Sequence, residues 1–168
     1  MLITPHALAG SALSSAITNN VFVAFFISMS LHFVLDAIPH FDQGTLRYKF
    51  NEPNRKAGWG TEHLEENSTS WPKWVYVSAV VDFIIAVLIY FLLLSKALNF
   101  PVLLAGGLGG ISIDLIDNPV VSFYKLPVFS QLHFLHHKVH FDLPQRYWYW
   151  GIPLQIIIIG GSLWYLLK

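Results

Sequence analysis

Five apolar runs separated by polar punctuation organise this chain. The first covers residues 5–18, is rich in Ala, Ser and Gly, and stops at the turn signal Thr18-Asn19-Asn20. The second covers 21–38 and ends at Pro39, which cannot continue a helix. The third, 74–94, is interrupted by a single acid, Asp82. The fourth, 100–117, opens on Phe100-Pro101 and closes at Asp117-Asn118-Pro119, and the fifth covers 149–167. A membrane-spanning helix needs about 20 apolar residues, with about 17 as a lower bound. Runs two to five meet that bound, whereas the first is marginal and either crosses or re-enters. The pattern predicts an all-α fold: a polytopic membrane helical bundle of four to five segments. It forms a single integral-membrane domain over residues 1–168, with extramembrane loops at 39–73 and 118–148.

Composition points the same way. Apolar residues make up 54% of the chain and charged residues 12%, against about 25% charged in a typical soluble domain, and mean hydropathy is +0.51. The net charge is zero and no basic tract is present, which leaves nothing for nucleic acid to bind. The chain has no cysteine, which excludes disulfides, iron–sulfur clusters and thiolate zinc sites and leaves the redox compartment unread. Met1-Leu-Ile-Thr-Pro lacks a positively charged n-region, so the first run is expected to stay in the mature protein and not to be cleaved as a signal.

Orientation follows from the distribution of Lys and Arg. Arg47, Lys49, Arg55, Lys56, Lys73, Lys125, Lys138 and Arg146 fall on the two long connections, while Lys96 and Lys168 fall at the opposite ends of the runs. The positive-inside rule then puts both long loops in the cytoplasm, with Trp71, Trp74, Tyr76 and the Tyr147–Trp150 stretch as interfacial anchors. The expected location is the inner, cytoplasmic membrane, with multiple crossings.

Ionisable residues at the ends of these runs carry the chemistry, because a buried charge in a bilayer is costly unless paired or bound to a cation. His32 and Asp36, spaced i, i+4, share one helix face, and Pro39 lets His40 and Asp42 turn back toward it. Asp42 is equally readable as a solvated loop residue. Asp114 and Asp117 sit at a helix C-terminus, where negative charge opposes the helix dipole and favours a bound cation, although Asp117 also belongs to a turn signal. His133, His137 and His140 fall at i, i+4, i+7, with His136 beside them, and an interfacial basic patch with Lys138 is the competing reading. His6 joins these groups if the first run crosses and the chain returns through Asn19-Asn20. Asp82 has three readings: a ligand, a residue orienting an imidazole N–H, or half of a structural hydrogen bond. His63 reads as a solvated loop residue. The Gly106-Gly107-Leu108-Gly109-Gly110 string lacks the Lys and Ser/Thr of a phosphate loop and reads as close helix packing, as do Gly10 with Ser14 and Gly160-Gly161. Such Gly-rich faces could also support a homo-oligomer.

Thr4-Pro-His6-Ala-Leu-Ala-Gly, followed by His32-x3-Asp36-x2-Pro-His40-x-Asp42 and a late His cluster, resembles the membrane-bound metal-dependent hydrolases of bacteria and archaea, a family that includes inner-membrane proteins under LexA control. The resemblance implies hydrolysis with one or two divalent metal ions. The metal is expected to be zinc or manganese, held by His32, Asp36, Asp114, His133 and His137. His6, His40, Asp42, Asp82, His136 and His140 would be further ligands or orienting groups, and Asp36, Asp114 and His137 would be closest to the chemistry. A site at interface depth suits an ester or phosphoester of a membrane lipid or another amphipathic substrate. Two rival readings remain. His133-Phe-Leu-His136-His137 looks like one H-x2-H-H box of the di-iron membrane desaturases and hydroxylases, which would call for iron. A non-catalytic metal-ion transporter or sensor would use Asp82 and Asp114 as a path through the bilayer.

Overall fold

The computed structural model describes residues 2–41, 58–59, 73–95, 99–117, 126–143 and 147–168. Six helices occur among these residues: α1 (Ile3–Ile17), α2 (Val21–Asp36), α3 (Lys73–Leu94), α4 (Phe100–Asp117), α5 (Pro127–Val139) and α6 (Trp148–Leu167). Five of them coincide with the apolar runs to within one or two residues at each end. The fold is all-α apart from one antiparallel pair of two-residue strands, β1 (Gly58–Trp59) and β2 (Phe141–Asp142), which ties the two long connections together.

Two helices are long and apolar enough to cross a membrane, over Tyr76–Leu94 and Tyr149–Leu167. That is fewer than the four to five expected. The reason is length: α1 and α2 have 15 and 16 residues, or about 22–24 Å at 1.5 Å per residue, and α4 is apolar but also short, over Phe100–Ile116. The short helices are the inner ones. α1 packs against α2, α3, α4 and α6, and α4 packs against both α1 and α2.

Local chemistry explains how α1 and α2 fold back on each other. Thr18 N–H donates to Ser14 O at 3.0 Å and closes α1. The Asn20 side chain accepts from Phe22 N at 2.9 Å and Val23 N at 3.1 Å, which caps α2 and contributes about 1 kcal/mol. The glycines then set how closely helices approach. A Cβ on Gly106 would collide with Ser14 and the Gly10 carbonyl, one on Gly110 with the His6 backbone, and one on Gly109 with the Phe25 backbone. With Gly107, where a Cβ would strike the Tyr90 side chain, four glycines of α4 thus serve close packing, as the spacing predicts. Gly160 and Gly161 do not: an added Cβ there meets nothing within 4 Å.

Burial is inverted relative to a water-soluble domain. His6, Ser11, Ser14, Ser28, His32, Asp36 and His40 are fully buried, while Phe91 is 72% exposed and Trp164 70%. The inner serines are satisfied by neighbouring helices, with Ser28 donating to Gly10 O at 2.9 Å and Ser11 to Leu103 O at 2.6 Å. An apolar cluster of Leu8, Leu93 and Leu103 fills the bundle.

Candidate metal centre

The α1–α2 hairpin and α4 converge their ionisable residues at one end of the bundle. His6, in the second turn of α1, comes back beside the end of α2, with its Nε2 2.9 Å from Asp36 Oδ1. Its ring stacks on His32 at a centroid distance of 4.1 Å. One turn before Asp36, His32 places Nε2 2.9 Å from Asp36 Oδ2 and 3.7 Å from Asp114 Oδ1 on α4. Helix α5, started by Pro127 at its first turn, brings His136 Nε2 to 2.7 Å from Asp36 Oδ2 and 3.4 Å from His32 Nε2. Beyond Pro39 the chain turns and lays His40 Nε2 3.5 Å from Asp36 Oδ1. Helix α6 holds that turn: Gly151 leaves room for the His40–Phe41 backbone, and the Gln155 amide donates to Phe41 O. Gln155 and Gly151 escaped the sequence reading, although a lone Gln within an apolar run was a signal for a buried polar contact.

Backbone carbonyls fix the proton positions on two of the rings. His32 Nδ1 lies 2.7 Å from Gly110 O, and His40 Nδ1 lies 2.6 Å from Ile38 O. A carbonyl can only accept, so in each ring Nδ1 carries the proton and donates. In a neutral ring that leaves the Nε2 lone pair aimed inward. At His32 it faces a carboxylate oxygen, a second imidazole nitrogen and a second carboxylate. Lone pairs gathered at these distances repel unless they share a cation. Asp114 Oδ2 and His6 Nδ1 are also buried without a hydrogen-bond partner among the described residues. Burying two carboxylates so close together without compensation costs several kcal/mol.

The ligand atoms of His32, Asp36, Asp114 and His136 lie within 4.8 Å of one another, as do those of Asp36, His40 and His140. Either set could hold a metal ion. Ligands at about 2.0–2.2 Å from a four-coordinate ion lie about 3.3–3.6 Å from each other, and the 3.4 Å between His32 Nε2 and His136 Nε2 falls in that range. A donor set of imidazole and carboxylate without thiolate suits zinc, manganese or iron.

Other expected site residues lie elsewhere. His133 and His137 meet each other edge to face, with centroids 4.3 Å apart, and join neither ligand set. His136 and, at the C-cap, His140 are the imidazoles of this segment that are buried against Asp36 and His40, whereas His133 and His137 are only half-buried. Among the described residues it is His136, and not His137, whose ring nitrogen lies with the donor atoms of His32, Asp36 and Asp114. Asp42 and His63 lie outside the described residues, and Asp117 is described only as the last residue of α4.

Asp82 takes the third of its readings. Its carboxylate accepts from Ile3 N at 2.5 Å and Thr4 N at 3.4 Å, and its backbone carbonyl accepts from Thr4 Oγ1 at 3.0 Å. Leu2, at the N-cap of α1, has no side-chain oxygen to offer, so a carboxylate from α3 caps α1 in its place. Substituting Asp82→Ala is expected to destabilise the protein by about 1–2 kcal/mol while leaving metal content unchanged. Thermal unfolding together with metal analysis checks this, and loss of the metal would make Asp82 a ligand.

No protein-family model, curated protein or solved structure matches this chain.

Proposed function

We propose that this chain is a multi-pass membrane protein of the inner membrane and a metal-dependent hydrolase that cleaves an ester or phosphoester of a membrane lipid or similar amphipathic substrate. The observation that carries this reading is the inward aim of the His32 Nε2 lone pair, fixed by Gly110 O, toward Asp36, His136 and Asp114. Zinc or manganese fits that donor set. When bound, a divalent ion acidifies water toward a pKa of about 7 and polarises the scissile group. Asp36, fully buried, serves as a ligand. The Asp114 side chain is 23% exposed and has an oxygen free of hydrogen bonds among the described residues, so it is the group suited to accept the proton.

Membrane insertion is supported by the inverted burial. Orientation is supported by charge: the long connections, which carry eight of the ten Lys and Arg residues, leave from the same end as the site, which therefore faces the cytoplasm. Gly160, with open space around it, is the glycine left for self-association. A lipid substrate is supported by a shallow, open apolar groove of about 440 Å³ between α1, α2 and α6. It begins at Ala9, one turn below His6, and at Leu35, next to Asp36, and runs down to Ala16 and Tyr165. One acyl chain of the substrate would lie there, with its head group at the metal. A transport path is not supported, because along the described helices no imidazole or carboxylate lies deeper than His6, His32, Asp82 and Asp114.

The test uses purified full-length protein in lipid nanodiscs. Metal analysis is expected to find zinc or manganese, and chelation is expected to abolish hydrolysis of acylated substrates. His136→Ala should lose metal and activity together, whereas His137→Ala should keep both. Ala12→Trp, which fills the groove, should slow cleavage of long-chain but not of short-chain, water-soluble substrates. Iron in place of zinc or manganese would transfer the site to di-iron oxygen chemistry. Full metal content in His136→Ala would refute the site.

A further inference from the structure

The two ligand sets have one member in common, Asp36, and its two oxygens are divided between them. Oδ2 faces His32 Nε2 at 2.9 Å and His136 Nε2 at 2.7 Å. Oδ1 faces His40 Nε2 at 3.5 Å and His6 Nε2 at 2.9 Å. A carboxylate whose oxygens serve separate donor sets has the geometry of a bridge between two cations, which in two-metal sites lie about 3.5–4 Å apart.

The second set is built as deliberately as the first. His40 is fully buried and His140 is 5% exposed, so neither is a solvated loop residue. The Nδ1 proton of His40 is committed to Ile38 O at 2.6 Å, which turns its Nε2 toward Oδ1 in the way Gly110 O turns His32. His140 closes α5, with its N–H donating to His136 O at 2.8 Å. Its ring stands edge-on to His40 at 4.9 Å and to His136 at 5.3 Å, between the two sets. Each set draws on more than one part of the chain. The first uses α2, α4 and α5, and the second uses the end of α2, the turn after Pro39 and the end of α5.

The geometry points to a binuclear centre in which Asp36 bridges one divalent ion held with His32, Asp114 and His136 and a second held with His40 and His140, with His6 against the bridging oxygen on the second side. This inference rests on the metal-centre reading above and adds the second ion and the bridge. Two divalent ions opposite Asp36 and Asp114 leave the centre positively charged, which favours an anionic phosphoester over a neutral carboxylic ester.

The test counts zinc. Full-length protein in detergent, stripped with chelator, is reloaded with excess zinc, separated from free metal by gel filtration and analysed by mass spectrometry. Wild type is expected to hold two zinc ions per chain. The His40→Gln/His140→Gln double variant should hold one, and Asp36→Asn should fall below one because both ions lose a ligand. Gel-filtration profile and thermal unfolding show whether each variant is folded, and the wild-type count decides by itself if a variant is not. One zinc in the wild type would overturn the binuclear centre and leave the mononuclear reading standing, whereas none would overturn both. Two zinc ions retained by folded His40→Gln/His140→Gln protein, or one retained tightly by folded Asp36→Asn, would overturn the second ligand set or the bridge respectively.

Discussion

Replacing Asp36 with alanine is expected to remove metal, activity and part of the fold's stability in a single step. Three imidazole nitrogens approach its oxygens within 2.9 Å, and all three rings are buried. Without the carboxylate these groups lose their common partner in a place water does not reach. Each buried polar group left unsatisfied costs about 1–3 kcal/mol, and removing one side of a buried charged pair costs about 3–5 kcal/mol. Relief from burying the carboxylate itself offsets part of that, so a net loss of a few kcal/mol is expected for metal-free protein. The difference widens when metal is supplied. A ligand that binds only the folded state at about 1,000 times its dissociation constant adds about 4 kcal/mol, and the variant forgoes this. Hydrolysis should fall by at least about 10³-fold, since several kcal/mol of transition-state stabilisation disappear with the ion. The decisive measurement is the unfolding temperature with and without zinc. Wild type should rise on zinc addition and Asp36→Ala should not. A variant that still shows the full zinc-dependent rise would remove Asp36 from the centre.

The second large effect belongs to a residue with no side chain. Gly110 on α4 lies against the His6 backbone of α1, so closely that an added Cβ would strike the His6 carbonyl oxygen and lie 3.0 Å from its carbon. The obstacle is backbone and cannot swing aside, so α1 must move. Gly110 O also accepts the His32 Nδ1–H. Gly110→Ala therefore displaces His6 and disturbs the contact that orients His32. We expect about 1–3 kcal/mol of destabilisation from overpacking together with weakened zinc affinity. Gly160→Ala is the control: open space surrounds it, and replacing Gly by Ala within a helix gains up to about 1 kcal/mol. Thermal unfolding and zinc titration of the two variants should give opposite signs of stability change. If Gly110→Ala behaves like Gly160→Ala, the close approach of α1 to α4 is wrong.

Much of this architecture was legible in the residues alone. The apolar runs located α1, α2, α3, α4 and α6, because Pro39, Asn20 and the turn signal in the sequence Asp117-Asn118-Pro119 mark where such runs stop or start. The convergence of His6, His32, Asp36 and Asp114 followed from the hairpin at Asn19-Asn20 and the ends at which the acids fall. The inward face of α5 did not follow. That helix packs on α2 and α4 at the end of the bundle, so its buried side is decided by tertiary contact with Asp36, not by a run of apolar residues. The regular spacing of His133, His137 and His140 singled out one stripe, whereas the donor sets take only His140 from it, together with His136 beside it. Asp82 stayed ambiguous for a similar reason. A carboxylate in mid-helix looks the same whether it meets a metal or another helix's N-terminus, and only the position of Ile3 and Thr4 separates the two.

The central position of α1 has a consequence for the order of assembly. Its polar partners come from far down the chain: Asp82 with Ile3, Tyr90 with Ala7 O, and the Leu103 carbonyl with Ser11, at sequence separations of 79, 83 and 92 residues. A ribosome adding about 5–20 residues per second needs about 4–16 s to supply the first of them. Through that interval the N–H groups of the first turn and the Ser11 hydroxyl of α1 lack the partners they have in the folded chain, and a lipid environment would offer no substitute. α1 is made before the partners that satisfy it. On the membrane reading proposed above, α1 and its hairpin partner are expected to reach their final packing only after α3 and α4 have been made.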